Sequence, residues 1–139
     1  LTASDKPDED AFRPLAAELD VPLVATAAPV LQAVDLIGNA AAYVGGRWHP
    51  AIFGLRGGTP FVPLTSNSFK LTALAEMVGL PSPALDSMDL AGSVERAVDL
   101  VERHLDEGEE LRSRLRGLAA RMAVESTGHV AMLPTSAPA

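Results

Sequence analysis

Ala41-Ala42-Tyr43-Val44-Gly45-Gly46-Arg47-Trp48-His49-Pro50, continuing through Ala51-Ile52-Phe53-Gly54-Leu55-Arg56 to Gly57-Gly58-Thr59-Pro60-Phe61-Val62-Pro63-Leu64, is the stretch on which the fold turns. It reads as strand, helix, strand. The apolar run Ala41–Val44 is a short buried strand that stops at a glycine pair, and Pro50 begins a short helix where a missing N–H costs nothing. Gly57-Gly58 ends that helix, and Thr59 to Leu64 is the next strand.

Outward from this unit the alternation continues. Upstream, Val21-Pro22-Leu23-Val24-Ala25-Thr26 reads as another short strand, and Val30, Ala33, Val34 and Ile37 form one face of a helix that stops near Gly38-Asn39. Before it, the acidic run Asp5 to Asp10 precedes a helical pattern of Phe12, Leu15, Ala16 and Leu19, with Pro14 expected in its first turn. Downstream, a helix from Phe69 to Val78 has Ser68 as expected N-cap, Leu71, Leu74, Ala75 and Val78 on its inner face, and Gly79 as its stop. After Pro81-Ser82-Pro83, two amphipathic helices follow, Ser93–Leu105 with Val94, Ala97, Val98 and Val101 inward, and Glu109 to about Val124 with Leu111, Leu115, Leu118 and Met122 inward. They are expected to form a hairpin about Gly108. Strands alternating with helices imply a parallel sheet, because parallel strands need crossovers and the crossovers cover both faces. The expected class is therefore α/β, a Rossmann-like parallel sheet flanked by helices, with C-terminal helices added.

Charge then points to the site. The chain carries 11 Lys plus Arg against 18 Asp plus Glu, yet no carboxylate lies between Asp35 and Glu76, while Arg47, His49, Arg56 and Lys70 do. Burial alone sheds both signs; here only the acids are missing, so the stretch makes a positive field suited to an anion. In parallel sheets ligands bind beyond the carboxyl ends of the strands. Two loops fall there: Gly45-Gly46-Arg47-Trp48-His49, and Ser66-Asn67-Ser68-Phe69-Lys70. Arg47 offers a planar fork for phosphate or carboxylate, and the helix opening at Pro50 adds free N–H groups. His49 is expected at that helix's N-cap, on the same side of an extended segment as Arg47, with Trp48 turned the other way to pack on the domain. Lys70 sits in a first helical turn, where it opposes the dipole and would be balanced by an anion.

Composition narrows the rest. A length of 139 residues and 47% hydrophobic content suffice for a packed domain. There is no cysteine, hence no disulfide, thiolate metal site or cysteine nucleophile, which fits the cytoplasm. No apolar run reaches the length of a membrane span, and no signal-peptide pattern opens the chain. The net charge of −7 argues against nucleic acid. His104 and His129 lack partners at metal-ligand spacing, so no metal site is expected. Arg112, Arg114, Arg116 and Arg121, interspersed with Glu107, Glu109, Glu110 and Glu125, read as a solvated, salt-bridged face. The first residue is Leu, which suits a processed product or a piece of a longer protein.

The run from Asp35 to Leu80, above all Asp35 to Pro60 and then Asn67 to Lys70, resembles the polysaccharide pyruvyl transferase family. The resemblance rests on the Arg-x-His tripeptide between a Gly-ended strand and a short helix, the Gly-x-Pro strand start, and Lys70 beyond. Family members more often have leucine where Trp48 stands. The resemblance implies a glycosyltransferase-B-like fold of which this chain is the C-terminal half, with residues 1–80 as the Rossmann-like core bearing donor-binding loops, 81–132 as helices packing on it, and 133–139 as a frayed tail. It further implies transfer of the enolpyruvyl part of phosphoenolpyruvate to a sugar hydroxyl pair without a cofactor. Arg47 and His49 would be catalytic, with Arg47, Trp48, His49, Asn67, Ser68 and Lys70 binding substrate. The partners implied are phosphoenolpyruvate, a glycan acceptor, and a missing N-terminal domain or second subunit, and the isolated chain is expected to be inactive. Two alternatives stand beside this: the donor-sugar-nucleotide half of a glycosyltransferase or epimerase, and a non-catalytic interaction module.

Overall fold

The computed structural model describes residues 1–3, 5–65, 69–81 and 85–131. The chain forms two compact units, Leu1–Leu36 and Ile37–Ala139. In the first, helix α1 (Lys6–Glu18) is capped by Asp5, whose Oδ1 accepts the Asp8 N–H at 2.9 Å. Pro7 falls at the helix start and Asp8 and Glu9 in its first turn, where negative charge suits the dipole. The cap moves the start a turn and a half earlier than the apolar pattern suggests, so Pro14 lies inside the helix instead of in its first turn.

The expected strand Val21–Thr26 does not form. Val24 makes a single parallel bridge to Thr2, with Ala3 N–H to Val24 O at 3.0 Å and Val24 N–H to Leu1 O at 2.9 Å. The reason is local: Pro22 has no N–H to give to a ladder. Helix α2 (Val30–Gly38) follows as expected, with Val34 and Ile37 buried, although Val30 is exposed.

In the second unit, β1 (Tyr43–Gly45) and β2 (Phe61–Pro63) form a parallel two-stranded sheet in the register Tyr43↔Phe61, Val44↔Val62, Gly45↔Pro63. Helix α3 (Trp48–Gly57) is the crossover, and α4 (Lys70–Met77) follows β2. A parallel bridge from Leu64 to Leu85, with Thr65 N–H to Leu85 O at 2.7 Å, extends the pairing by one residue. Helix α5 (Leu90–Ala131) completes the chain. The class is mixed α/β as expected, but among the described residues the sheet has two strands beside five helices.

Successive strand residues face opposite ways, and β2 shows it. Phe61 joins a core of Ala51, Leu55, Leu71, Leu74, Ala75, Val78, Leu111 and Leu115, while Val62 packs with Leu85 and Leu100. The part of α5 before Gly108 therefore covers one face of the sheet, and the part after it covers the other, together with α3 and α4. The hairpin expected about Gly108 is not made. Gly108, at φ 55 and ψ −133, is a non-helical joint between two arms on opposite faces, and its positive φ favours glycine. The inward face of the first arm differs too: Ala97, Leu100, Val101 and His104 turn to the core, and Val94 and Val98 are exposed. On the second arm Leu111, Leu115, Leu118 and Met122 pack inward as expected.

The arginines of the second arm do not form a merely solvated face. Arg112 donates to Ala40 O at 2.7 Å and to Gly38 O and Gly57 O, each at 3.2 Å, closing the C-terminal ends of α2 and α3 at once. Arg114 donates to Val78 O at 2.8 Å, at the end of α4. A guanidinium on the last carbonyls of a helix satisfies orphan acceptors and suits the dipole. Arg116 does pair with Glu109, as the charge pattern suggests.

Candidate functional site

Two parallel strands that end side by side bring their following loops to one edge of the sheet. At that edge Gly45 lies beneath the Tyr43 ring, and a Cβ there would collide with the Tyr43 hydroxyl oxygen, so glycine is what lets the ring fold back over the strand end. The Tyr43 hydroxyl in turn reaches Arg47 O at 3.4 Å. Arg47 is the N-cap residue of α3, at φ −93 and ψ 129, with no side-chain capping bond.

Trp48, His49 and Pro50 are then the first three helical residues. This corrects the expected N-cap role of His49 and the extended segment that was to align it with Arg47. The helix starts earlier because Pro50 is tolerated anywhere in a first turn, where N–H groups lack intrahelical partners. Helical geometry parts the neighbours. Trp48 and Ile52 lie on one stripe and His49 and Phe53 on the next, with His49 edge-on to Trp48 at 5.3 Å between centroids and tilted over Phe53 at 6.4 Å.

Lys70 opens α4, with its Nζ 5.9 Å from the centre of the Trp48 ring. The two cationic loops are thus joined through an aromatic ring, and Arg47, Trp48, His49 and Lys70 share one end of the unit. Phe69, where Ser68 was expected, is the N-cap residue of α4 and offers no side-chain bond. Asn67 and Ser68 lie outside the described residues. No group of three or more potential metal ligands occurs among the described residues.

Beside this edge lies a cavity of about 720 Å³ between α3, α4 and the second arm of α5. Trp48, Ile52, Phe69, Met77, Met122 and Ala123 are among its mostly apolar walls; Arg56, Lys70 and Arg116 also line it, and no carboxylate does. Arg47 and His49 stay outside it. Sequence reasoning missed this cavity: Arg56 and Lys70 fall in the acid-free stretch, but the walls come from three helices whose alignment no local pattern encodes.

A second electrostatic feature belongs to the first unit. Glu9 accepts from the Thr26 hydroxyl at 2.8 Å and the Thr26 N–H at 3.2 Å, and pairs with Arg13 and with Lys6 at 3.5 Å. These bonds to the ionised form, those of Thr26 first, hold its carboxyl down to about 2.

The acid-free stretch, the Gly-ended strand and the cationic helix start lie together in a mixed α/β unit, and a family model that matches part of the chain is that of a transferase family. Residues 4–68 match the sequence model of the family described as polysaccharide pyruvyl transferase. The match takes in Arg47, Trp48 and His49 and ends two residues before Lys70. No curated protein and no solved structure matches the chain. No helix among the described residues is long and apolar enough to cross a membrane.

Proposed function

We propose that this chain supplies the donor-binding part of an enzyme that moves pyruvate from phosphoenolpyruvate onto a hydroxyl pair of a cell-surface polysaccharide. The observation that supports it most is that Arg47, His49 and Lys70 follow the carboxyl ends of parallel β1 and β2, with Lys70 over the Trp48 ring that His49 also touches, within a stretch that has no carboxylate. The donor carries a phosphate and a carboxylate, and a planar guanidinium grips either with two bonds. In this reading Arg47 holds one of them, with Lys70, Asn67 and Ser68 beside the other, while Trp48 borders the site.

The chemistry then needs one mobile proton. His49 gives its proton to the vinyl CH2, which becomes the methyl group, as the first sugar hydroxyl adds to the adjacent carbon. The proton of that hydroxyl restores His49. Phosphate leaves with its electron pair, the second hydroxyl closes the ketal, and its proton departs with the phosphate. A further domain or subunit would cover the acceptor, so the 139-residue chain by itself binds donor and turns over none.

Calorimetric titration of the chain with phosphoenolpyruvate tests the reading. Arg47→Ala and Arg47→Lys should both lose affinity at least about tenfold, lysine because it lacks the fork. Unchanged affinity in both refutes the role of Arg47. Preference for a nucleoside diphosphate sugar over phosphoenolpyruvate would move the site to the sugar-nucleotide reading.

A further inference from the structure

The first arm of α5 carries an apolar row that its own chain leaves largely uncovered. Val94, Val98 and Leu105 are 54%, 48% and 49% exposed, and with the half-buried Val101 they follow a four-three-four spacing, the repeat of a helix seam. An acid follows each one: Glu95, Asp99, Glu102 and Asp106, all exposed and none in an ion pair among the described residues. The arm is therefore an amphipathic helix face with a continuous anionic edge.

The cavity between α3, α4 and the second arm has the opposite character. Phe69, 80% exposed, and Met77 leave apolar surface at its rim, and its charged lining is Arg56, Lys70 and Arg116. Arg116 is engaged by Glu109, which leaves Arg56 and Lys70 to face a partner. At 1.5 Å per residue, Trp48 to Arg56 rises about 12 Å and Val94 to Leu105 about 17 Å, so the arm spans the groove. The arm and the groove lie on opposite faces of the sheet, and one chain cannot bring its own arm to its own groove.

We infer that the acidic face of the first α5 arm of one copy docks in the cation-rimmed groove of another. Apolar side chains supply the contact area, and the charges set its polarity and register. Because the two surfaces differ and point away from each other, the contact is head-to-tail, and assemblies grow with concentration instead of stopping at a two-fold pair. The contact does not depend on the pyruvyl reading.

Sedimentation of the 139-residue chain across a wide concentration range tests it. The wild-type mass should rise above the single-chain 14.5 kDa as concentration increases. Reversing the arm, with Glu95→Lys, Asp99→Lys, Glu102→Lys and Asp106→Lys together, or the groove, with Arg56→Glu and Lys70→Glu, should weaken association at least about tenfold, because like charges then meet. An equimolar mixture of the two reversed proteins should associate again, since the cationic arm of one meets the anionic groove of the other and the remaining pair is wild type. All these substitutions are at exposed positions, and circular dichroism checks that both proteins are folded. A wild-type chain that stays monomeric overturns the inference, whether the groove then takes a lipid or a domain of a longer protein. So does a mixture that fails to associate.

Discussion

Replacing His104 by leucine should make the second unit more stable and less sensitive to acid. His104 is 2% exposed, and neither ring nitrogen has a hydrogen-bond partner among the described residues. The Phe61 backbone is near enough to favour the cation a little, but not in hydrogen-bonding geometry. Burial dominates and pushes the ring's pKa below its ordinary 6.5. A buried polar group without a partner costs about 1–3 kcal/mol, so His104→Leu, close in volume, should raise stability at neutral pH by about 2 kcal/mol. The sign of the acid effect follows from the depressed pKa. Below about pH 6.5 the unfolded chain binds a proton that the folded ring resists, so stability is lost as pH falls. Stability should therefore fall between pH 7.5 and 5.5. Urea unfolding of both proteins at the two pH values, followed by circular dichroism, isolates the term: the leucine variant's advantage should be larger at pH 5.5. An advantage that is absent at both, or that shrinks in acid, would refute the account of His104 as an unpartnered neutral ring.

Arg112→Met keeps the apolar stem but removes three bonds to the carbonyls of Gly38, Ala40 and Gly57, leaving them the shared Thr59 hydroxyl and a long contact from Arg116, and should cost about 1–3 kcal/mol, with Arg112→Lys losing less; a wild-type urea midpoint for the methionine variant would mean that Thr59, Arg116 and water serve those carbonyls equally well. In the first unit the bonds to Glu9 contribute stability above about pH 4.5, and it is lost as pH falls toward about 2. NMR titration of the Glu9 carboxyl should find its midpoint well below that of exposed glutamates, and Thr26→Val should move it back up.

What was legible in the sequence was the punctuated part. Gly45-Gly46, Pro50, Gly57-Gly58 and Pro60 mark ends by backbone rules that act over one or two residues, and β1, α3 and β2 formed between them. The inner face of α4 was readable because Leu71, Leu74, Ala75 and Val78 repeat at the helical period. The misreadings share another origin. Whether Val24 enters a ladder depends on what lies beside it, and whether Val94 or Leu100 faces inward depends on where Gly108 sends the chain. Arg112 looks like any surface arginine until the ends of α2 and α3 are brought beneath it. The site divides in the same way: the Arg47–His49 segment announced itself by composition, but the placing of Trp48 and Lys70 on the groove required the register of three helices.

The two arms of α5 also bear on how the protein is made. Leu111 and Leu115 fill the core that Phe61 begins, and Arg112 and Arg114 close helices that precede them by tens of residues. During synthesis β1, α3, β2 and α4 leave the ribosome with their apolar faces uncovered, and they wait for the second arm. A nascent chain halted before Leu111 should therefore bind a chaperone and be cut readily by protease, and release from both should come late and abruptly, once the sequence past Leu115 has emerged.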